Sequence, residues 1–237
     1  IGDGAVDGET AFDVTNGAFT LSLFADSDSD GAGAIVDQGD VIDFGANGGS
    51  LRMTAGSGVG TTTDRIELVG SAATINLAAA TSTVGGIFIN GTGGATLNFA
   101  AITTDSTTTT GLTTQGGAGG GIEVSNAGDI SQAAGANLNT QGAMTIDSGD
   151  ITLESTGGMI VLVESLDTSG AAVANGGNVS LTATGQLTAL NITTSGGTDS
   201  GAGAHSAGSV TLSGGDVSVG AITATGGDDN GANAAGG

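Results

Sequence analysis

The sequence contains no cysteine, proline, tryptophan, tyrosine or lysine, and Arg52 and Arg65 are its only strongly basic side chains. Each absence excludes something. Without cysteine there is no disulfide framework and no thiol chemistry. Without proline, and with 48 glycines in 237 residues that keep no strict third-position period, the chain is not collagen-like. Two Lys+Arg residues against 24 Asp+Glu leave a formal net charge of −22, which repels nucleic acid and anionic lipid. No apolar run reaches 18 residues, so membrane insertion is not expected.

What is present points to strands. Val, Ile, Leu and Thr are too frequent for a disordered chain, and their mixture with Gly disfavours long helices. The expectation is an all-β chain with many tight turns. No Pro-rich or charged linker divides it, so one elongated domain is the simpler organisation. The sequence starts at Ile1 without a signal peptide, which reads as a processed product or a piece of a longer chain.

Internal repetition is the strongest signal. The segments "GNVSLTATGQLTALNITTSGG" (177–197) and "GSVTLSGGDVSVGAITATGG" (208–227) share one plan: an apolar-x-apolar strand, a Gly-containing turn, a second apolar strand, then Ile-Thr. "DITLESTGGMIVLVESLDTSG" (150–170) follows it, and "GIEVSNAGDISQAAGANLNTQG" (121–142) follows it more loosely. Three apolar columns emerge: Ile122, Ile151, Val179 and Val210; Ile130, Met159, Leu187 and Val217; and Leu112, Leu138, Leu166, Ile192 and Ile222. Short strands that cannot bury a face alone are satisfied when successive turns stack at about 4.8 Å. The predicted fold is therefore a parallel β-helix, a β-solenoid, with a sandwich or barrel as the structural alternative. Val179, Leu181 and Val210 should point inward and Ser180 and Thr211 outward. Length variation gathers between the third column and the next first column, so the loops 168–177, 194–208 and 224–236 should share one corner.

The blocks "NGGNVSLTATGQLTALNITTSGG" and "SAGSVTLSGGDVSVGAITATGG" resemble, over residues 95–237, the repeats of secreted bacterial proteins of the filamentous haemagglutinin and adhesin type. The resemblance implies a right-handed parallel β-helix and an extracellular, structural or adhesive role on a bacterial surface. It carries no catalytic residue across.

Residues 1–45 differ from the repeats at 46–237. They hold Phe12, Phe19, Phe24 and Phe44 and ten of the acidic residues, and read as an N-terminal cap or β-layer that blunts the first coil. Within them, "FADSDSDGAGAIVDQGDVIDF" (24–44) places Asp26, Asp28 and Asp30 on alternate positions, then Gly31, then Asp37 at the twelfth position. That is the spacing of a calcium loop, in which alternate carboxylates converge on a hard cation and Gly permits the bend. Like charges brought so close favour a compensating cation, so calcium held by Asp26, Asp28, Asp30 and Asp37 is expected, against a solvated acidic loop. The spacing departs from an EF-hand in having Asp37 where Glu is usual and strands as flanks. Asp3, Asp7 and Glu9 form a weaker second candidate.

Enzymatic readings have less support. His205 stands in a Gly/Ala/Ser loop with no acid near it in sequence, and a lone loop histidine is usually a surface residue. Solenoid lyases typically need a Lys or Arg, for which only Arg52 and Arg65 are available. The threonine runs "GTTTD" (60–64) and "TTDSTTTTGLTTQ" (103–115) could suggest an ice-binding face, but consecutive threonines on a strand point to opposite sides. The expectation is a non-enzymatic, calcium-stabilised surface protein. Its partners would be copies of itself, further coils of a longer chain, surface glycans or cell receptors. The alternative is a carbohydrate-active solenoid, binding or cleaving polysaccharide.

Overall fold

The computed structural model describes residues 10–13, 19–26, 30–71, 73–83, 85–115, 120–142, 145–198 and 204–227. Among them all regular structure is strand. Successive turns of chain pair in parallel, which makes the molecule a β-solenoid of about seven turns.

The coil follows from the alternation of the strands. In Val179–Ala183, Val179 and Leu181 are buried while Ser180 and Thr182 face outward, as period-two geometry requires. Stacking repeats this residue by residue. Ile87, Ile122, Ile151, Val179 and Val210 form the first column. Leu112, Leu138, Leu166, Ile192 and Ile222 form the third, resting on Ala79. Each fully buried Ile or Leu contributes about 1.5–3 kcal/mol of apolar transfer, so the columns are the core of the fold.

The second column differs from expectation at one place. It runs Leu97, Ile130, Ile160, Leu187 and Val217, so Ile160 and not Met159 occupies the rung. Met159 is 40% exposed and Ile160 0%. The cause is the turn before it. Three residues lie between Asn126 and Ile130 and between Ala183 and Leu187, but four between Ser155 and Ile160. The extra residue moves the strand by one position and exchanges inward and outward faces.

The cross-section changes along the axis. In the early coils one sheet carries the long strands Phe19–Ala25, Gly49–Ala55 and Thr74–Thr81, and the other is split into pairs such as Gly58–Val59 and Ile66–Val69. Ile87–Thr92 then lies across both Gly58–Val59 and Ile66–Val69, joining them. Conversely, Thr74–Thr81 supports two separate strands, Thr96–Phe99 and Leu112–Thr113. The bend therefore moves from one sheet to the other between consecutive coils.

The described part of residues 1–45 belongs to these same sheets. Phe19–Ala25 pairs in parallel with Gly49–Ala55, Ala34–Ile35 with Gly58–Val59, and Thr10–Asp13 with Val41–Asp43. The Phe19 and Phe44 rings stack at 5.1 Å and close the early interior. One element breaks the parallel pattern. Ala101–Thr104 and Thr107–Thr110 form an antiparallel hairpin whose turn residues Asp105 and Ser106 have φ of 51° and 64°, the signature of a type I′ turn. It folds onto the outer face, where Ile102 packs with Ala78 and Ala100 in a second small cluster.

Candidate functional site

The corner between the third column and the next first column is built from one repeated device. Thr81, Thr114, Thr140, Thr168 and Thr194 are all buried. Each Oγ1 donates to the carbonyl of the glycine that closes its loop: Thr81 to Gly85 at 2.8 Å, Thr114 to Gly120, Thr140 to Gly149 at 2.5 Å, Thr168 to Gly177 at 2.6 Å, and Thr194 to Gly208 at 2.9 Å. In the last three coils the glycine N–H returns the bond to the threonine carbonyl. The loops so closed span sequence separations of 4, 6, 9, 9 and 14 residues. A long insertion therefore leaves the coil undisturbed, because its two ends are already fastened. The closing residue must be glycine. A Cβ at Gly177 would collide with the Gly149 carbonyl, and one at Gly208 with the Gly177 carbonyl.

Outside this seam two polar ladders run up the corner. Asp150 accepts from the backbone and side-chain N–H groups of Asn178, whose Oδ1 accepts from Ser209. Asp147 accepts likewise from Asn175, whose Oδ1 accepts from the Ser206 N–H. The Asn175 backbone bond, followed by its side-chain bond, holds the Asp147 carboxyl below its ordinary range, with a smaller contribution from His205. The fold thus brings an acid near His205 that sequence proximity does not show. The loop 168–177 and the described part of the loop 194–208 share this corner as expected: Gly176 N–H bonds Ser206 and Gly197 N–H bonds Ala174. Residues 228–236 of the third loop lie outside the described residues.

The described aspartates of the expected calcium loop, Asp26, Asp30 and Asp37, fall at two places. Asp26 and Asp30 lie at the corner after Phe19–Ala25, beside Ser82 and Thr83. Asp26 accepts from Gly31 N–H at 3.2 Å and Ser82 Oγ at 3.2 Å, and Asp30 from Ala32 N–H at 2.8 Å. Gly31 and Gly33, with φ of 79° and 90°, make the bend. Asp28 lies outside the described residues. Asp37 sits beyond the short strand Ala34–Ile35, buried, with Oδ1 accepting from Gly39 N–H and Oδ2 from Glu67 N–H at 2.7 Å. Burial raises its pKa first, and the adjacent Asp64 carboxyl adds to that, while the two N–H bonds oppose it. Among the described residues, no three Asp, Glu or His side chains gather as a metal-binding group. The weaker candidates Asp3, Asp7 and Glu9 lie outside the described residues.

Two further arrangements were not apparent from the sequence. Arg52 is 2% exposed, the largest of the fully buried side chains. Its Nε donates to Thr109 at 2.8 Å and its Nη1 to Thr104 at 2.8 Å, while the guanidinium lies 4.7 Å over the Phe24 ring. The hairpin covers it, so this threonine run serves as a strap fastened by an arginine. The second is an open groove of about 640 Å³ on the outer face, floored by Phe88, Glu123 and Thr152 and walled by residues 145–150. Its Glu123 is paired with Arg65.

No family model matches the chain, and neither a curated protein nor a solved structure does.

Proposed function

We propose that this chain is a structural or adhesive segment of an extracellular bacterial surface protein, a β-solenoid rod without enzymatic activity. The observation that carries this reading is the unbroken register of three aliphatic columns beneath outward rows that are mainly polar. One such row is Glu123, Thr152, Ser180 and Thr211; another links Ser50, Asn76, Asn98 and Ser131 by side-chain hydrogen bonds. Stacked coils with hydrophilic sides make a stiff spacer, and the staple corner displays loops of any length on it. Calcium is the proposed ligand of Asp26, Asp28, Asp30 and Asp37; of these, Asp26 and Asp30 share one corner, where carboxylates and carbonyls could supply hard oxygen ligands, and Asp37 would support the neighbouring corner. Surface display of the chain on an otherwise non-adherent bacterium tests the role. The expected outcome is increased attachment or cell aggregation with no change in soluble polysaccharide. Release of sugar from a polysaccharide substrate would overturn it.

A second reading, binding of a neutral polysaccharide, is favoured by the groove alone. A ring at Phe88 beside the carboxylates of Glu123, Asp147 and Asp150 offers an apolar face with hydroxyl acceptors. Under this reading Phe88→Ala abolishes retention on a neutral glycan column and leaves the fold intact; equal retention of the variant rejects it.

A further inference from the structure

Phe88, Glu123, Thr152, Ser180 and Thr211 stand in one outward row. The other four are polar, and Phe88 takes no part in either buried cluster, so it sets a ring on the outer face without serving the core. Two spacings of about 4.8 Å separate Phe88 from Thr152, which makes the groove floor roughly 10 Å long. The wall comes from the loop that Thr140 and Gly149 close, and it brings Ile146, Asp147 and Asp150 beside that floor.

Charge and backbone together select the occupant. Glu123, Asp147 and Asp150 line one groove, and Arg65 answers Glu123 alone. Asp147 and Asp150 take their donors from the coil above, from Asn175 and Asn178, whereas a carboxylate has room for about four. A neutral chain lying on Phe88 would strip water from these charges without replacing it; an ammonium group compensates them. Among the described residues the three carboxylates do not gather as a site for one metal ion, so the compensating charge has to be spread along the ligand. The floor strands Ile87–Thr92, Ile122–Asn126 and Ile151–Ser155 are each paired on both sides. A peptide strand therefore finds no free edge to join, and recognition falls to a ring, hydroxyls and carboxylates.

We infer that the groove takes a polysaccharide whose sugars carry free amines, protonated to ammonium. The apolar face of a sugar rests on Phe88, and the ammonium groups reach Glu123, Asp147 and Asp150. This deepens the second reading above and rests on it: that reading puts a glycan in the groove, and the charge of the groove names its class.

Isothermal titration with a glucosamine oligomer and with its fully N-acetylated counterpart tests the assignment, because the two share a backbone and differ at the amine. At low ionic strength and a pH that keeps the amines charged, the amine form should bind roughly tenfold more tightly, the worth of one charge-assisted hydrogen bond. Asp147→Asn/Asp150→Asn should lose most of that preference. Asp105→Asn/Asp216→Asn removes the same charge from exposed positions outside the groove and should keep it. Phe88→Ala should weaken both oligomers. Circular dichroism checks that each variant keeps its β-sheet signal, and Glu123→Gln carries the same test if the aspartate pair is needed for folding. Equal binding of the two oligomers would overturn the amine assignment and leave the second reading standing; binding of neither would overturn both. A preference that falls equally in the two double variants, or poly-lysine binding as tightly per amine as the glucosamine oligomer, would also overturn the assignment. Either result would report the net charge of −22 and not the groove.

Discussion

Thr168 shows how a single residue holds this fold. Its hydroxyl is buried and bonded at 2.6 Å to Gly177, so Thr168→Val keeps the shape and removes the donor. We expect a loss of about 1–2 kcal/mol, read from denaturant unfolding, with a similar loss for Thr140→Val and little for Thr193→Val, whose side chain is partly exposed. Gly177→Ala should cost more, because its Cβ would meet the Gly149 carbonyl. The recurring Thr-x-Gly two residues after Leu112, Leu138, Leu166 and Ile192 was visible as sequence, but its role was not. Only the stacking shows that the hydroxyl turns inward to close its own loop. Asp37 is a second case. Its carboxyl binds a proton more tightly folded than unfolded, where the ordinary value is 3.8. Its contribution to stability is thus fully present below that value and lost as pH rises through the raised one. Wild-type melting temperature should therefore gain from acidification through this window more than Asp37→Asn does. Parallel pH curves for the two proteins would contradict the assignment. Sequence spacing grouped Asp37 with Asp26, and the intervening strand Ala34–Ile35 is what parts them.

At the scale of the strand, periodicity was enough for the first and third columns, because branched aliphatics recur where each coil needs an inward side chain. It failed in "TGGMIV", where two adjacent apolar residues fit either phase and only the turn length chooses between them. The choice is testable. Ile160→Ala should destabilise by about 2–4 kcal/mol through loss of buried volume, and Met159→Ala by a few tenths, measured by thermal or denaturant unfolding. Equal effects would mean the register is wrong. The hairpin 101–110 was illegible for a different reason: its partners, Arg52 and Ser22, lie two and three coils earlier in the chain. A run of threonines carries no sign of what it will cover. Arg52→Met should release the strap while sparing the columns, seen as faster amide exchange in 101–110 and unchanged exchange in 151–183.

For the whole molecule, composition and repetition were sufficient to reach a β-solenoid, and insufficient to show that the bend changes sheets between coils, since that depends on which strands merge. If Asp26, Asp28, Asp30 and Asp37 hold calcium, excess chelator lowers the melting temperature by several degrees and loosens residues 24–44 first. An unchanged melting curve rejects the metal and leaves the rod. The rod itself rests on coils that hold mainly their neighbours, so stability is close to one-dimensional. Single-molecule force extension tests this most directly. Column spacings of 26 to 31 residues per coil mean that pulling on the termini should release the later coils in successive steps of roughly 90–105 Å of contour length. One all-or-none release of the entire chain, or steps that bear no relation to the coil length, would contradict the account.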